Sequence, residues 1–157
     1  MDNMILLARP NYFLVNDMQN FISENGFTPK PLKNLNDLNA LSMNQVKGVV
    51  ISTAVSSNVD VSYMDVVNRV RSHKPGVPIV FATMVDYEMM KKSVMLNLEK
   101  SFSSPVVANI NNYDQAASST KAENMFLMLH KDEISNSELR KVAGRQIGKH
   151  FGQTVSI

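Results

Sequence analysis

The sequence predicts an α/β fold: a five-stranded parallel sheet with helices on both faces and one extra helix at the C-terminus. Three observations carry this expectation. Short apolar runs alternate with longer segments of helical periodicity through the first hundred residues. The connections between those runs are too long for hairpins and suit helical crossovers. The chain has 157 residues, 44% apolar and 19% charged, which is one ordinary domain with enough apolar surface for a core.

The elements follow in order. Met4-Ile5-Leu6-Leu7-Ala8 is a continuous apolar run of buried-strand length, and Arg9-Pro10-Asn11 ends it as a turn. Across residues 12–25, apolar side chains recur at Phe13, Leu14, Met18, Phe21 and Ile22, a helical spacing closed by Gly26. Residues 27–32 contain Pro29 and Pro31, which only an edge strand tolerates. Asn36 or Asp37 can cap a helix running through Leu38, Leu41 and Val46. Gly48-Val49-Val50-Ile51-Ser52-Thr53 then reads as a central strand buried on both faces.

A helix carrying Val61, Met64, Val67 and Val70 stops at Lys74-Pro75-Gly76, and residues 77–83 form a second central strand. Residues 86–100 are expected to be helical, with Met89, Met90, Val94, Met95 and Leu98 facing inward. Residues 101–107 are expected to make a short fifth strand. Residues 109–120 read as a loop or a poorly packed first part of a helix, and 121–131 as helix through Ala122, Met125, Phe126 and Leu129. A break over 132–134 precedes a last helix, started by a Ser135/Glu138 capping box and running to about Phe151. Placing the proline-bearing strand at the edge gives the order 2-1-3-4-5 of a flavodoxin-like sheet. The domain is then residues 1–131, followed by a basic amphipathic tail over 132–157.

Composition removes several function classes. The absence of cysteine excludes disulfides, a thiol nucleophile and thiolate metal sites. The three histidines, His73, His130 and His150, are too scattered to suggest a ligand cluster. No apolar run approaches the length that spans a bilayer, and the start of the chain lacks a basic n-region. A cytoplasmic protein without a metal or cofactor is expected. The formal net charge of +2 is uneven: residues 1–133 hold 12 basic and 13 acidic groups, whereas 134–157 hold four and one.

Ligands of an open parallel sheet sit at the carboxyl ends of its strands, here near Ala8 and Arg9, Ser52 and Thr53, Thr83, and Ser103-Ser104-Pro105. Residues 66–83, VVNRVRSHKPGVPIVFAT, resemble the third helix, proline-bearing loop and fourth strand of response-regulator receiver domains (CheY-like). Gly26-Phe27 and Phe102-Ser103-Ser104-Pro105 support the resemblance, the latter being similar to the family's aromatic-x-Lys-Pro motif.

The resemblance implies a degenerate pocket, a pseudo-receiver lacking the phospho-acceptor aspartate. The family's metal-holding acidic pair corresponds to Ala8 and Arg9. Its phospho-accepting aspartate corresponds to Thr53, or to Ser52 if the register slips by one, and its lysine to Ser104. Only the switch threonine, Thr83, matches, with Phe102 as its aromatic partner. Arg9 makes such a pocket positive, so a divalent cation would be repelled and lack oxygen ligands.

The implied protein is a non-enzymatic signalling or scaffolding module working through protein partners, or as a homodimer, independently of aspartyl phosphorylation. Two other readings stay open: a transcriptional regulator contacting nucleic acid through its tail, and an anion or small-molecule binder or enzyme on the same fold. For the pocket, either Arg9, Ser52, Thr53, Thr83 and Ser104 hold an anion, or the hydroxyls bond backbone and Arg9 pairs with Asp86 or Asp17. Met89, Met90, Met95, Met125 and Met128 are either core or an adaptable partner face. In the tail, Leu139, Val142, Gln146, Ile147, His150 and Phe151 define one face, and Lys141, Arg145 and Lys149, with Arg140, a basic one. That helix can dock, pair with a second copy, or meet an acidic partner, membrane surface or nucleic acid.

Overall fold

The computed structural model describes residues 3–8, 13–32, 34–53 and 62–152. Six parallel strands form one sheet: β1 (Met4–Ala8), β2 (Thr28–Pro31), β3 (Val46–Ser52), β4 (Ile79–Thr83), β5 (Val106–Ala108) and β6 (Met125–His130), in the order β2-β1-β3-β4-β6-β5. The helices are α1 (Gln19–Glu24), entered through a wide π-type turn over Phe13–Met18, then α2 (Tyr63–His73), α3 (Tyr87–Leu98), α4 (Tyr113–Ser118), α5 (Lys131–Ser135) and α6 (Ser137–Phe151). No helix among the described residues is long and apolar enough to cross a membrane.

Crossover handedness distributes the helices. The steps β3-α2-β4 and β4-α3-β5 run one way along the sheet and leave α2 and α3 on one face. The steps β1-α1-β2 and β5-α4-β6 run the other way, so right-handed crossovers put α1 and α4 on the opposite face, where α6 joins them. Strand side chains alternate between the two cores. Ile5, Leu7, Val50, Val80 and Leu127 face α1 and α6, while Leu6, Val49, Ile51, Phe81 and Phe126 face α2 and α3.

The edge at β2 explains its prolines. Thr28 N–H donates to Asn3 O and Leu32 N–H to Leu7 O, both at 3.0 Å. Alternation therefore turns positions 29 and 31 outward, where no donor is needed and where a missing N–H blunts the edge.

The sheet has six strands instead of five, because residues 125–130, expected as helix, form β6. Met125 to Leu129 are all apolar and all fully buried, alternately on the two faces. An unbroken apolar run carries no period that separates a helix from a strand buried on both sides. β6 inserts beside β4 and leaves β5, which begins only at Val106, as the edge.

Smaller differences share the theme of local capping. Residues 35–45 make two 3-10 turns, Leu35–Ala40 and Met43–Gln45, instead of one helix, and Val46 already belongs to β3. The expected break at 132–134 is the short helix α5. Asn136, not Ser135, caps α6, its carboxamide accepting from Glu138 N–H at 3.0 Å and Leu139 N–H at 3.1 Å.

α6 is part of the core. Ala143, Ile147 and Phe151 are buried with Ile5, Leu7 and Phe21. Within the same helix, Gln146 donates to Ile110 O at 2.9 Å, and the fully buried His150 bonds Ile79 O and the Tyr113 hydroxyl.

Candidate functional site at the carboxyl end of the sheet

The carboxyl ends of β1, β3, β4 and β6 converge on one rim. Ala8 closes β1, with 1% exposure; Ser52 and Thr53 follow at the end of β3, and Thr83 closes β4, all buried. The hydroxyls of Thr53 and Thr83 are drawn into the backbone. Thr53 Oγ1 donates to Ala82 O at 3.3 Å, and that carbonyl also accepts Thr53 N–H at 3.0 Å. Thr83 Oγ1 accepts Val85 N–H at 3.2 Å, turning the chain toward Asp86, which caps α3 through Met89 N–H at 3.0 Å. Arg9 lies outside the described residues.

The strand beside Thr83 is β6, and its partner in register is His130. Ser104 is elsewhere. It precedes β5, so in a parallel sheet it stands at the amino edge, opposite the rim that holds Thr83. There it adopts a left-handed turn with φ of 51°. The position given to Ser104 by the resemblance is therefore taken by His130 and Lys131. The expected pair Thr83 and Phe102 is not formed either. Phe102 packs edge-on against Phe126, with ring centroids 5.3 Å apart, and lies 5.3 Å beneath the Arg71 guanidinium.

His130, Glu133 and Tyr87 complete the rim and were missing from the sequence reading of this pocket. His130 caps α5: Nδ1 accepts Asp132 N–H at 3.0 Å, while the His130 backbone N–H donates to Glu133 Oε1 at 2.7 Å. The signal available in the sequence was the three-residue spacing of His130 and Glu133, which fits a reciprocal cap. Burial pushes the Glu133 carboxyl up, against the hydrogen bond from His130. Burial likewise raises the Tyr87 phenol, helped by the fields of Glu88 and Glu133, and its hydroxyl has no hydrogen-bond partner among the described residues. Among the described residues no three His, Asp or Glu side chains come together as a metal site.

The expected methionine face divides. Met125 and Met128 are fully buried in β6, Met90 and Met95 pack half-buried under α3, and Met89 is 70% exposed instead of facing inward. The basic residues of α6 divide too. Arg140 forms a two-pronged ion pair with Glu24, and Lys149 pairs with Asp114 at 2.9 Å. Lys141 and Arg145 make no salt bridge with a described residue.

No family model matches the chain, and no curated protein matches it. Solved structures do. A response regulator receiver protein from Sinorhizobium medicae WSM419 superposes with a TM-score of 0.54 at 16% identity, covering 94% of this chain and 96% of that one. NtrX from Brucella abortus superposes with a TM-score of 0.52 at 13% identity, covering 96% of this chain and 28% of that one. The likeness is one of fold. This receiver-like fold is a flavodoxin-like α/β sheet with β5 and α4 carried at its edge, in the sheet order given above.

Proposed function

We propose that the protein is a non-enzymatic signalling or scaffolding module, an atypical receiver acting by protein–protein contacts without aspartyl phosphorylation. The donor set at the strand ends supports this reading. An acyl phosphate needs a carboxylate, and a divalent cation needs several oxygen ligands around it. The ends of β1 and β3 offer Ala8, Ser52 and Thr53, and the acids that flank β3 in sequence are as far away as Asp37 and Asp60. Thr53 and Thr83 spend their hydroxyls on backbone groups. Thr83 stands beside His130 at the strand ends, and on this reading no carboxylate there accepts a phosphoryl group.

The test is a titration of the protein with beryllofluoride and magnesium, followed by amide NMR. The expected result is no saturable shift at Thr53, Thr83 or His130. A saturable response at those amides would overturn the reading.

A further inference from the structure

A groove of about 460 Å³ lies between the end of α1 and the first turns of α6. On the α6 side it is lined by Ser137, Lys141, Gly144 and Arg145, which follow at helical spacing and share one face. On the α1 side stand Glu24 and Asn25. Gly144 makes the depression. A Cβ there would overlap the Asn25 carboxamide, whose Oδ1 lies against the helix at that point. Asn25 is held in place by its Nδ2, which donates to Phe21 O at 2.8 Å. Glycine inside a helix costs about 1 kcal/mol relative to alanine, and here the close approach of Asn25 requires it.

The charge left over in the groove is positive. Glu24 is the one carboxylate among its lining residues, and Arg140 neutralises it. Arg140 Nε and Nη2 bond the two oxygens of Glu24, and Nη1 donates to Ile134 O at 2.9 Å. All three Arg140 nitrogens are engaged. Lys141 and Arg145 remain, both exposed and neither in a salt bridge with a described residue. Asp114 feels the field of Arg145 but is bonded to Lys149 at 2.9 Å. Two cations one turn apart match a phosphate monoester, which carries about −1.5 to −2 at neutral pH, better than a single carboxylate. The groove is far larger than a phosphate group needs and falls in the size range of small-molecule sites. Its remaining polar groups are the Ser137 hydroxyl, the Asn25 carboxamide and the Glu24 carboxylate, all of which hydrogen-bond hydroxyl groups. No aromatic side chain of the described residues lines it, so a nucleobase would find no ring to stack on.

We propose that the groove between α1 and α6 binds a small phosphorylated sugar or polyol, with Lys141 and Arg145 holding the phosphate and Ser137 and Asn25 meeting the hydroxyls. The site shares no residue with the strand-end rim, so the proposal stands whether or not that rim accepts a phosphoryl group.

The test titrates the intact protein with ribose phosphate, glucose phosphate and glycerol phosphate at millimolar concentration and follows the backbone amides by NMR. At least one of the three should give a saturable shift at Asn25, Ser137, Lys141, Gly144 and Arg145 and leave Thr53, Thr83 and His130 unmoved. Unphosphorylated ribose, glucose and glycerol should give no shift, and inorganic phosphate should bind the same amides at least tenfold more weakly. Lys141→Ala and Arg145→Ala should each weaken binding at least tenfold, with unchanged amide signals in β4 and β6 showing that the variants are folded. Three results would overturn the proposal. The first is no saturable shift at the groove with any of the three phosphates, and the second is an affinity unchanged in both variants. The third is inorganic phosphate binding as tightly as the best of the three, or adenosine monophosphate binding more tightly than all of them.

Discussion

The ring of Phe151, in the last turn of α6, fills the space in front of Gly48 on β3. A Cβ built on Gly48 would overlap Phe151 Cδ1 and Cε1. The glycine is required by a close approach between helix and sheet, and Phe27 then stands edge-on to the same ring at 5.5 Å. Gly48→Ala should cost about 1–3 kcal/mol through overpacking, and Phe151→Ala about 3–5 kcal/mol through the cavity it leaves. The double variant should cost less than the two singles together, since the added methyl enters the vacated space. Urea unfolding of the four proteins gives the cycle, and strict additivity would disprove the contact.

Arg71 ties the edge of the sheet to its interior. Its Nε donates to Val77 O at 2.9 Å and its Nη1 to Glu123 O at 2.8 Å, with the guanidinium 5.3 Å from the rings of both Phe102 and Phe126. Burial lowers its pKa to about 10, against the pull of Glu123, so it stays charged at neutral pH. Lysine keeps the charge and loses the planar fork and the stacking. Arg71→Lys should cost about 2 kcal/mol and speed hydrogen exchange at Val106–Ala108 more than at β1. Equal acceleration in both strands would mean that Arg71 does not secure the edge.

What the sequence could say about β5 and β6 follows from the same region. Strands bounded by turn residues, such as Ile79–Thr83 after Pro75 and Gly76, were legible because their ends are marked. Met125–His130 was not, since Met, Leu and Phe suit helices as well as buried strands and no glycine or proline precedes them. Taking 101–107 as the strand beside β4 puts Ser104 and Phe102 in a pocket from which the parallel sheet separates them by the strand's length. Ala8, Ser52, Thr53 and Thr83 stand at strand ends because β1, β3 and β4 end close to where the sequence predicts.

Arg140 is a structural member of the basic set on α6. It pairs with Glu24, donates through Nη1 to Ile134 O at 2.9 Å, and lies 5.4 Å over the ring of Phe21. Arg140→Ala should cost about 1–2 kcal/mol through lost packing and hydrogen bonds. Lys141→Ala and Arg145→Ala should stay within about 0.5 kcal/mol of wild type. Thermal unfolding at fixed salt separates them, and three equal shifts would contradict the division of roles.

His150 should make the fold acid-sensitive. Its Nε2 is 2.8 Å from Ile79 O, and since a carbonyl only accepts, that nitrogen carries the proton. Nδ1 is then the acceptor for the Tyr113 hydroxyl at 3.0 Å. Complete burial lowers the pKa from 6.5 to about 4, partly offset by the bond to Ile79 and reinforced by the field of Arg71. Between those two values the unfolded chain binds the proton and the folded chain does not. Stability is therefore full above pH 6.5 and falls as the pH drops toward 4, by about 3 kcal/mol over the whole window. Glu133, whose carboxyl burial pushes up, works with the opposite sign in the lower part of that range. The comparison with His150→Gln removes this contribution, because both proteins carry Glu133. The variant should be less stable at neutral pH, yet lose less between pH 7 and pH 4.5 as measured by urea midpoints. Equal slopes in the two proteins would show that the ring is not held neutral between β4 and α4.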